Sequence, residues 1–242
     1  MRTAAGLIVL ATSVLLLTGC QTLPSPVEPA AQTRPAGHGR PALPAGREFV
    51  VDSRHSEIRV VVYPDGPMAR LGHPHVIGGH VVDGRVVLAE PFESSALELS
   101  IDVRAMELDR PDWRLAEGFD PDIDPDAIEA TRRNLIAREQ LDAASHPFIR
   151  VRALALSGPK WQPDIRLQVT IKETARELTV PVALHISDQA LSATGRIIIR
   201  QSDFDIEPFS AAGGALRVAD PVMIRFHVVA RPTANGNQSF RG

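Results

Sequence analysis

From Arg47 onward, apolar and polar residues alternate with a period of two, the repeat of an extended chain whose successive side chains point to opposite faces. Leu97, Leu99, Ile101 and Val103 alternate with Glu98, Ser100 and Asp102. Ile165, Leu167, Val169 and Ile171 alternate with Arg166, Gln168, Thr170 and Lys172. Leu178, Val180, Val182, Leu184 and Ile186 follow after a short connection, and Val222, Ile224, Phe226 and Val228 alternate with Met223, Arg225 and His227. Each run predicts a strand with one dry face and one wet face. Weaker patterns predict strands at 48–52, 56–63, 75–82, 85–89, 148–156 and 193–201, with Asp83-Gly84 as a hairpin turn between two of them.

One stretch departs from this period. After a loop from Arg110 to Asp122, Asp124 can cap a helix and Pro125 can occupy its first position, with the helix running to about Leu141. Ile128, Leu135, Ile136 and Leu141 fall roughly on one stripe, which lays the helix on the strands or across an opening. About eight to ten strands, a single long helix and no βαβ alternation predict an all-β domain with one helix, built as an antiparallel β-barrel. In such a barrel Leu99, Ile101, Leu167, Val169, Val182, Leu184, Ile224 and Phe226 point into the lumen. Arg166, Gln168, Thr170, Arg225 and His227 then point to solvent.

Several segments resemble a known family. Val51-Asp52-Ser53-Arg54-His55-Ser56 before an alternating strand, then Gly79-His80-Val81 and Asp83-Gly84, resembles the opening of the YceI-like lipid- and polyisoprenoid-binding proteins. Leu141-Asp142-Ala143-Ala144-Ser145-His146-Pro147-Phe148-Ile149 resembles the family's passage from a helix end through a proline turn into a strand. Leu178-Thr179-Val180-Pro181-Val182 and Arg200-Gln201-Ser202-Asp203-Phe204 resemble two later strands and their connection. The order of these segments, over about residues 47 to 231, carries the resemblance. The chain departs from the family pattern with Ser53 in place of a proline, His80 in place of an aromatic, and Glu173-Thr174-Ala175-Arg176 in place of a glycine-containing turn. The resemblance implies an extended, lipocalin-like antiparallel barrel that holds a long apolar chain, an isoprenoid or another lipid, in its lumen. The eight inward residues above are then the ligand-lining set. An eight-stranded barrel is just wide enough to be filled by side chains or to hold one slender ligand.

Ahead of this domain, Arg2 and the apolar run Leu7 to Leu17 lead into Leu17-Thr18-Gly19-Cys20. A positive start, an apolar stretch too short to span a bilayer and small residues before the cut read as a bacterial lipoprotein signal over residues 1–19. Cys20, the only cysteine, then becomes an acylated N-terminus, and two or three acyl chains at roughly 0.8 kcal/mol per buried methylene anchor firmly. Gln21, rather than an aspartate, favours the outer membrane, with the domain facing the periplasm. Residues 20–46 carry Pro24, Pro26, Pro29, Pro35, Pro41 and Pro44 and read as a tether, roughly 28 Å long as a coil and ~80 Å as polyproline II. Residues 232–242 read as a C-terminal tail, leaving 47–231 as the barrel domain.

Composition removes several function classes. A lone cysteine permits no disulfide within the chain. A net charge of −3, with Lys160 and Lys172 as the only lysines, leaves no basic stripe for nucleic acid. Aromatic residues, at 5%, are too sparse for platforms that stack sugars or bases.

The rival chemical signal is His73-Pro74-His75 with His80 downstream. His-x-His sets two imidazoles on one side of a strand, as metal sites do. His80, five residues from His75, points the other way unless a bulge at Gly78-Gly79 returns it, so neither a metal nor a cofactor is expected. His55-Ser56 lacks a nucleophile elbow and reads as a turn or barrel seam held by local hydrogen bonds. Asp120, Asp122, Asp124 and Asp126 lack the downstream glutamate of a calcium loop and read as a solvated loop and helix cap. The expected function is therefore that of a membrane-anchored lipoprotein that binds a long-chain apolar lipid, of the polyisoprenoid or isoprenoid quinone type, in the barrel lumen as a carrier or sequestering protein, without catalysis. The alternatives are a metal-dependent enzyme on His73, His75 and His80, or an envelope interaction module with no small ligand.

Overall fold

A computed structural model of the protein describes Arg34–Pro35 and residues 43–233. The expectations for the signal segment, for acylation at Cys20, for the tether apart from Arg34–Pro35 and residues 43–46, and for the last nine residues of the tail lie outside the described residues. The alternating stretches form β1 (Arg47–Val51), β2 (Glu57–Val62), β3 (His75–Gly79), β4 (Val82–Leu88), β5 (Ala96–Asp102) and β6 (Glu107–Leu108). Helices α1 (Pro111–Ala116) and α2 (Pro125–Ile136) follow. The chain then returns to strands in β7 (Phe148–Ser157), β8 (Asp164–Ile171), β9 (Thr174–Pro181), β10 (Ala183–Ile186), β11 (Leu191–Arg200) and β12 (Pro221–Pro232).

All pairings are antiparallel, in the order β9-β8-β7-β5-β4-β1-β12-β2-β3-β6, with β11 on the other side of β12 and β10 beyond it. The long β12 is the spine. Its residues 223–227 pair with β2, its residues 230–232 pair with β1, and its far edge pairs with β11 from Pro221 to Ala230. The sheet curls round a single apolar interior without closing. β9 shares no ladder with β11, and only its continuation β10 pairs there, Ala183 to Ile186 against Thr194 to Leu191. Phe204 and Ile206, both buried, pack against Leu178, Val180 and Ile199 at this opening. Arg34–Pro35 lies along the free edge of β9, opposite Glu177 and Arg176.

The Asp52-Ser53-Arg54-His55-Ser56 segment locks β1 to β12. The buried Ser56 hydroxyl lies 2.8 Å from the Asp52 carbonyl and 3.1 Å from the Val229 carbonyl, and accepts the Val229 N–H at 2.9 Å. Asp52 accepts from Arg231 at 2.6 Å and pairs with His55 at 2.9 Å, and these hydrogen bonds hold its carboxyl down at about 2.

Three expectations are corrected. The stretch from Arg110 to Asp122 is not all loop, because Pro111–Ala116 forms α1, which packs on β3 and buries Trp113. α2 begins as expected, with Asp124 accepting from the Asp126 N–H at 2.9 Å, but it stops at Ile136. Its last carbonyls are taken by a turn, Leu141 N–H to Leu135 and Ala143 N–H to Ile136, so Leu141 reaches the core from that turn and not from the helix. Ile136 is 40% exposed, whereas Ile128 and Leu135 pack on the barrel. Asp83-Gly84 makes no hairpin. Both residues lie within β4, where Gly84 pairs with Leu99 and a Cβ on it would meet the Glu98 carbonyl oxygen at 2.2 Å. The glycine serves close strand approach, not a turn.

Candidate ligand-binding site

Inward residues of every strand but β1, β3 and β6 converge on a cavity of about 190 Å³ inside the curled sheet. Leu99, Ile101, Leu167, Val169, Val182, Leu184, Ile224 and Phe226 all line it, joined by Ile58, Val60, Met106, Ile149 and Val151 among others. Among the described residues, Ser95 is the only one in the lining that is not apolar. On the opposite face Arg166, Arg225 and His227 are exposed, and Gln168 and Thr170 are half-buried. Arg225 reaches Glu117 at 3.2 Å. Alternation alone does not account for the whole lining. A register shift between Arg166 and Leu167 against β7 turns both Val151 and Leu156 inward, although they are an odd number of residues apart.

A second cavity, of about 370 Å³, sits at the end of the barrel under α2. It begins where the lumen stops. Val60 lines the lumen and Val62, the next inward position on β2, lines the second cavity. Between them lies a layer of apolar side chains that includes Ile77, Met106 and Leu135. This mouth pocket differs in character from the lumen, for His73, His75, Thr131, Asn134, Gln140, Gln201 and Arg217 face it beside Tyr63, Leu71 and Phe209.

One buried polar network builds its wall. The Asp109 side chain is fully buried, and its Oδ1 accepts from the Val76 N–H at 2.9 Å and from Arg114 Nη1 at 2.8 Å, while its Oδ2 lies 2.6 Å from His75 Nδ1. Arg114 also donates to the carbonyls of Pro74 at 2.8 Å and Asp120 at 2.6 Å. Burial pushes the Asp109 carboxyl up, but the hydrogen bonds from His75, Val76 and Arg114 outweigh it and leave it below the usual carboxylate range. His75 is thereby oriented, and its Nε2 lies 3.3 Å from the Thr131 hydroxyl. The order Asp109, His75, Thr131 is that of a nucleophilic triad, but Thr131 donates to the Ala127 carbonyl at 2.9 Å within its own helix. With its proton engaged there, the hydroxyl is a positioned polar group and not an activated nucleophile.

The histidines do not converge. His73 and His75 stack edge to face, 4.9 Å between ring centres. β3 ends at Gly79, at φ +142°, and His80 beyond it places Nδ1 2.7 Å from the Ser56 carbonyl, away from the other two. Among the described residues, no group of three His, Cys, Asp or Glu side chains is placed to hold a metal ion. Asp120 and Asp124 accept from the backbone N–H groups of Asp122 and Asp126, as a loop and a helix cap do. Asp109, Arg114, Thr131 and Asn134 carry no motif in the sequence. Their only signal is that Ala127, Thr131 and Leu135 recur every four residues, a helical stripe that says nothing of what faces it.

Comparison with known proteins supplies the context for this geometry. No curated protein matches the chain. The BcnA protein of Burkholderia cenocepacia has a similar structure, with 18% identity, a TM-score of 0.55, and coverage of 74% of this chain and 98% of that one. The YceI protein of Campylobacter jejuni is similar at 10% identity and a TM-score of 0.46, over 63% of this chain and 81% of the other. The model of the YceI-like domain matches residues 49–230, most of the described barrel, and the chain belongs to the YceI-like family.

Proposed function

We propose that this protein is a carrier or sequestering protein for a long-chain apolar lipid of the polyisoprenoid type, held in the barrel lumen without covalent chemistry. The observation that carries this reading is the lumen lining, apolar at every residue but Ser95. Burying each methylene of a ligand there contributes about 0.8 kcal/mol. At about 190 Å³ the lumen is smaller than ordinary small-molecule pockets, so it suits a slender tail better than a bulky group. Family membership supports the binding of a hydrophobic ligand. The same reading places the domain on the periplasmic side of the cell envelope, tethered to the outer membrane through acylated Cys20. This rests on the Leu17-Thr18-Gly19-Cys20 signal.

Native mass spectrometry and organic extraction of the purified protein test the cargo. The expected result is a long-chain lipid, about one per chain. No extractable lipid, together with no binding of long-chain isoprenoids presented in detergent, overturns the carrier. For the anchor, wild-type protein is expected to take up an acyl label that Cys20→Ser abolishes. A mature N-terminus elsewhere overturns it.

A further inference from the structure

The outer face of the barrel wall carries its arginines in two different arrangements. Across β4, β5, β7, β8 and β9, one row of directly opposite residues runs Arg85, Glu98, Arg152, Gln168, Glu177, so no arginine in it has another beside it. Across β2, β12 and β11, a row runs Arg59, Arg225, Arg196. Like charges directly opposite one another in a sheet are destabilising, and here two such pairs adjoin. From this geometry we infer that the Arg59-Arg225-Arg196 row is a binding site for a phosphoryl oxyanion, best matched by two linked phosphoryl groups, a diphosphate.

The row lines a groove rather than a flat surface. With Glu57, His227 and Thr194, one step along the same strands, it borders a hollow of about 420 Å³, a volume within the range of small-molecule sites. Arg196 and Arg225 are exposed, and Arg59 is half-buried with its guanidinium 5.4 Å from the centre of the Trp113 ring. Two carboxylates temper the row. Glu57 lies 2.8 Å from Arg59 Nη2, and Glu117, just past α1, lies 3.2 Å from Arg225 Nε. Each of these contacts takes one nitrogen of a guanidinium that carries five N–H donors, so neither arginine is used up. The charge is also confined. The next outward row on one side is Val61, Met223 and Ile198, which suits a compact anion and not an extended acidic peptide. Neighbouring strands lie about 4.8 Å apart, so one phosphoryl group fits between Arg59 and Arg225 and a second, linked to it, between Arg225 and Arg196. Strand parity sets these arginines on the face opposite the lumen lining, and the site does not depend on the carrier reading.

The test titrates the full protein with inorganic phosphate, inorganic diphosphate, ADP, phosphatidylglycerol vesicles and polyglutamate. Diphosphate is expected to bind at least about tenfold more tightly than phosphate, to weaken as salt is raised, and to shift the ring resonances of His227, which borders the groove. Arg196→Gln and Arg225→Lys should each lose at least about tenfold for diphosphate. Arg152→Gln, which removes the same charge from the alternating row, should bind as wild type does. ADP and the vesicles distinguish the source of the phosphoryl group: binding that Arg196→Gln weakens assigns a soluble ligand if ADP shows it, and a lipid headgroup if the vesicles do. Wild type that binds no diphosphate overturns the site, whatever the variants do. So does diphosphate bound no more tightly than phosphate, or bound equally by all three variants. Polyglutamate bound through the row in place of diphosphate overturns it in favour of an acidic peptide.

Discussion

The lumen and the mouth pocket lie end to end on the same strands, yet they are made in opposite ways. The lumen is built almost wholly from residues whose side chains are interchangeable in kind, Val, Ile, Leu, Phe, Ala and Met, most of them aimed inward by strand parity. On the carrier reading proposed above, its specificity comes from size and shape. The mouth pocket is built from a helix, a histidine loop and a small sheet of Pro64–Asp65, Ser210–Ala211 and Leu216–Val218, and His75, Thr131 and Arg217 are each fixed in it by a named partner. A hydrophobic cavity tolerates exchange of its parts as long as volume is kept, whereas a buried polar network fails when any member is left unpaired. The comparison therefore predicts unequal responses to mutation at the two ends.

The largest effect is expected from putting a charge in the uniform end. Val169→Arg sets an unpaired guanidinium among buried apolar side chains, and its cost of about 4 kcal/mol or more should show in urea unfolding as loss of the barrel. A variant that folds with near wild-type stability would mean that the lumen is wetter than its lining. Next comes Asp109→Ala at the polar end, which strands the buried Arg114 and should destabilise by about 3–5 kcal/mol. A loss below about 1 kcal/mol would mean that the network is dispensable and the two ends are alike.

Volume changes should sort the lumen more gently. Val169→Trp and Val182→Phe narrow it without charge, and a cargo-holding barrel should keep its β-type circular dichroism while losing co-purified lipid. A barrel filled by its own side chains would instead lose about 1–3 kcal/mol from overpacking, with no lipid to lose.

The smallest effect concerns acid. Asp109 and Asp52 both titrate lower in the folded chain than the ordinary 3.8. Their contribution is therefore complete above about pH 4 and is lost as the pH falls, for Asp52 through about 2. Acid titration of unfolding should show stability falling in that window. Asp52→Asn should flatten the acid limb slightly, and an unchanged limb would remove Asp52 from it.

Residues 97–103, 165–186 and 222–228 show how far local pattern reaches. Their period of two sets eight residues on one face, and all eight line the inner cavity, because parity within a strand is set by backbone geometry alone. The start of α2 is equally local, since an Asp cap and Pro at the first position act within one turn. Parity failed where something non-local intervened. The bulge opposite Arg166 and Leu167 reverses the facing of β7 part-way along, and in the apolar run Val60-Val61-Val62 the outward Val61 is fully buried while its neighbours line the two cavities.

What the sequence by itself determined, then, is the all-β class, the strands' inward faces, the helix start and the order of segments that marks the family. What only the tertiary structure decided is the mouth pocket. His75 meets Asp109 across 34 positions and Thr131 across 56, and Arg217 meets Asp65 across 152. None of these separations has a period, for they are fixed by strand register and by where α2 comes to rest. Hydrophobic burial needs only the right kind of residue on the right face, but a hydrogen bond needs two particular atoms within about 3 Å, and only the folded chain brings them there.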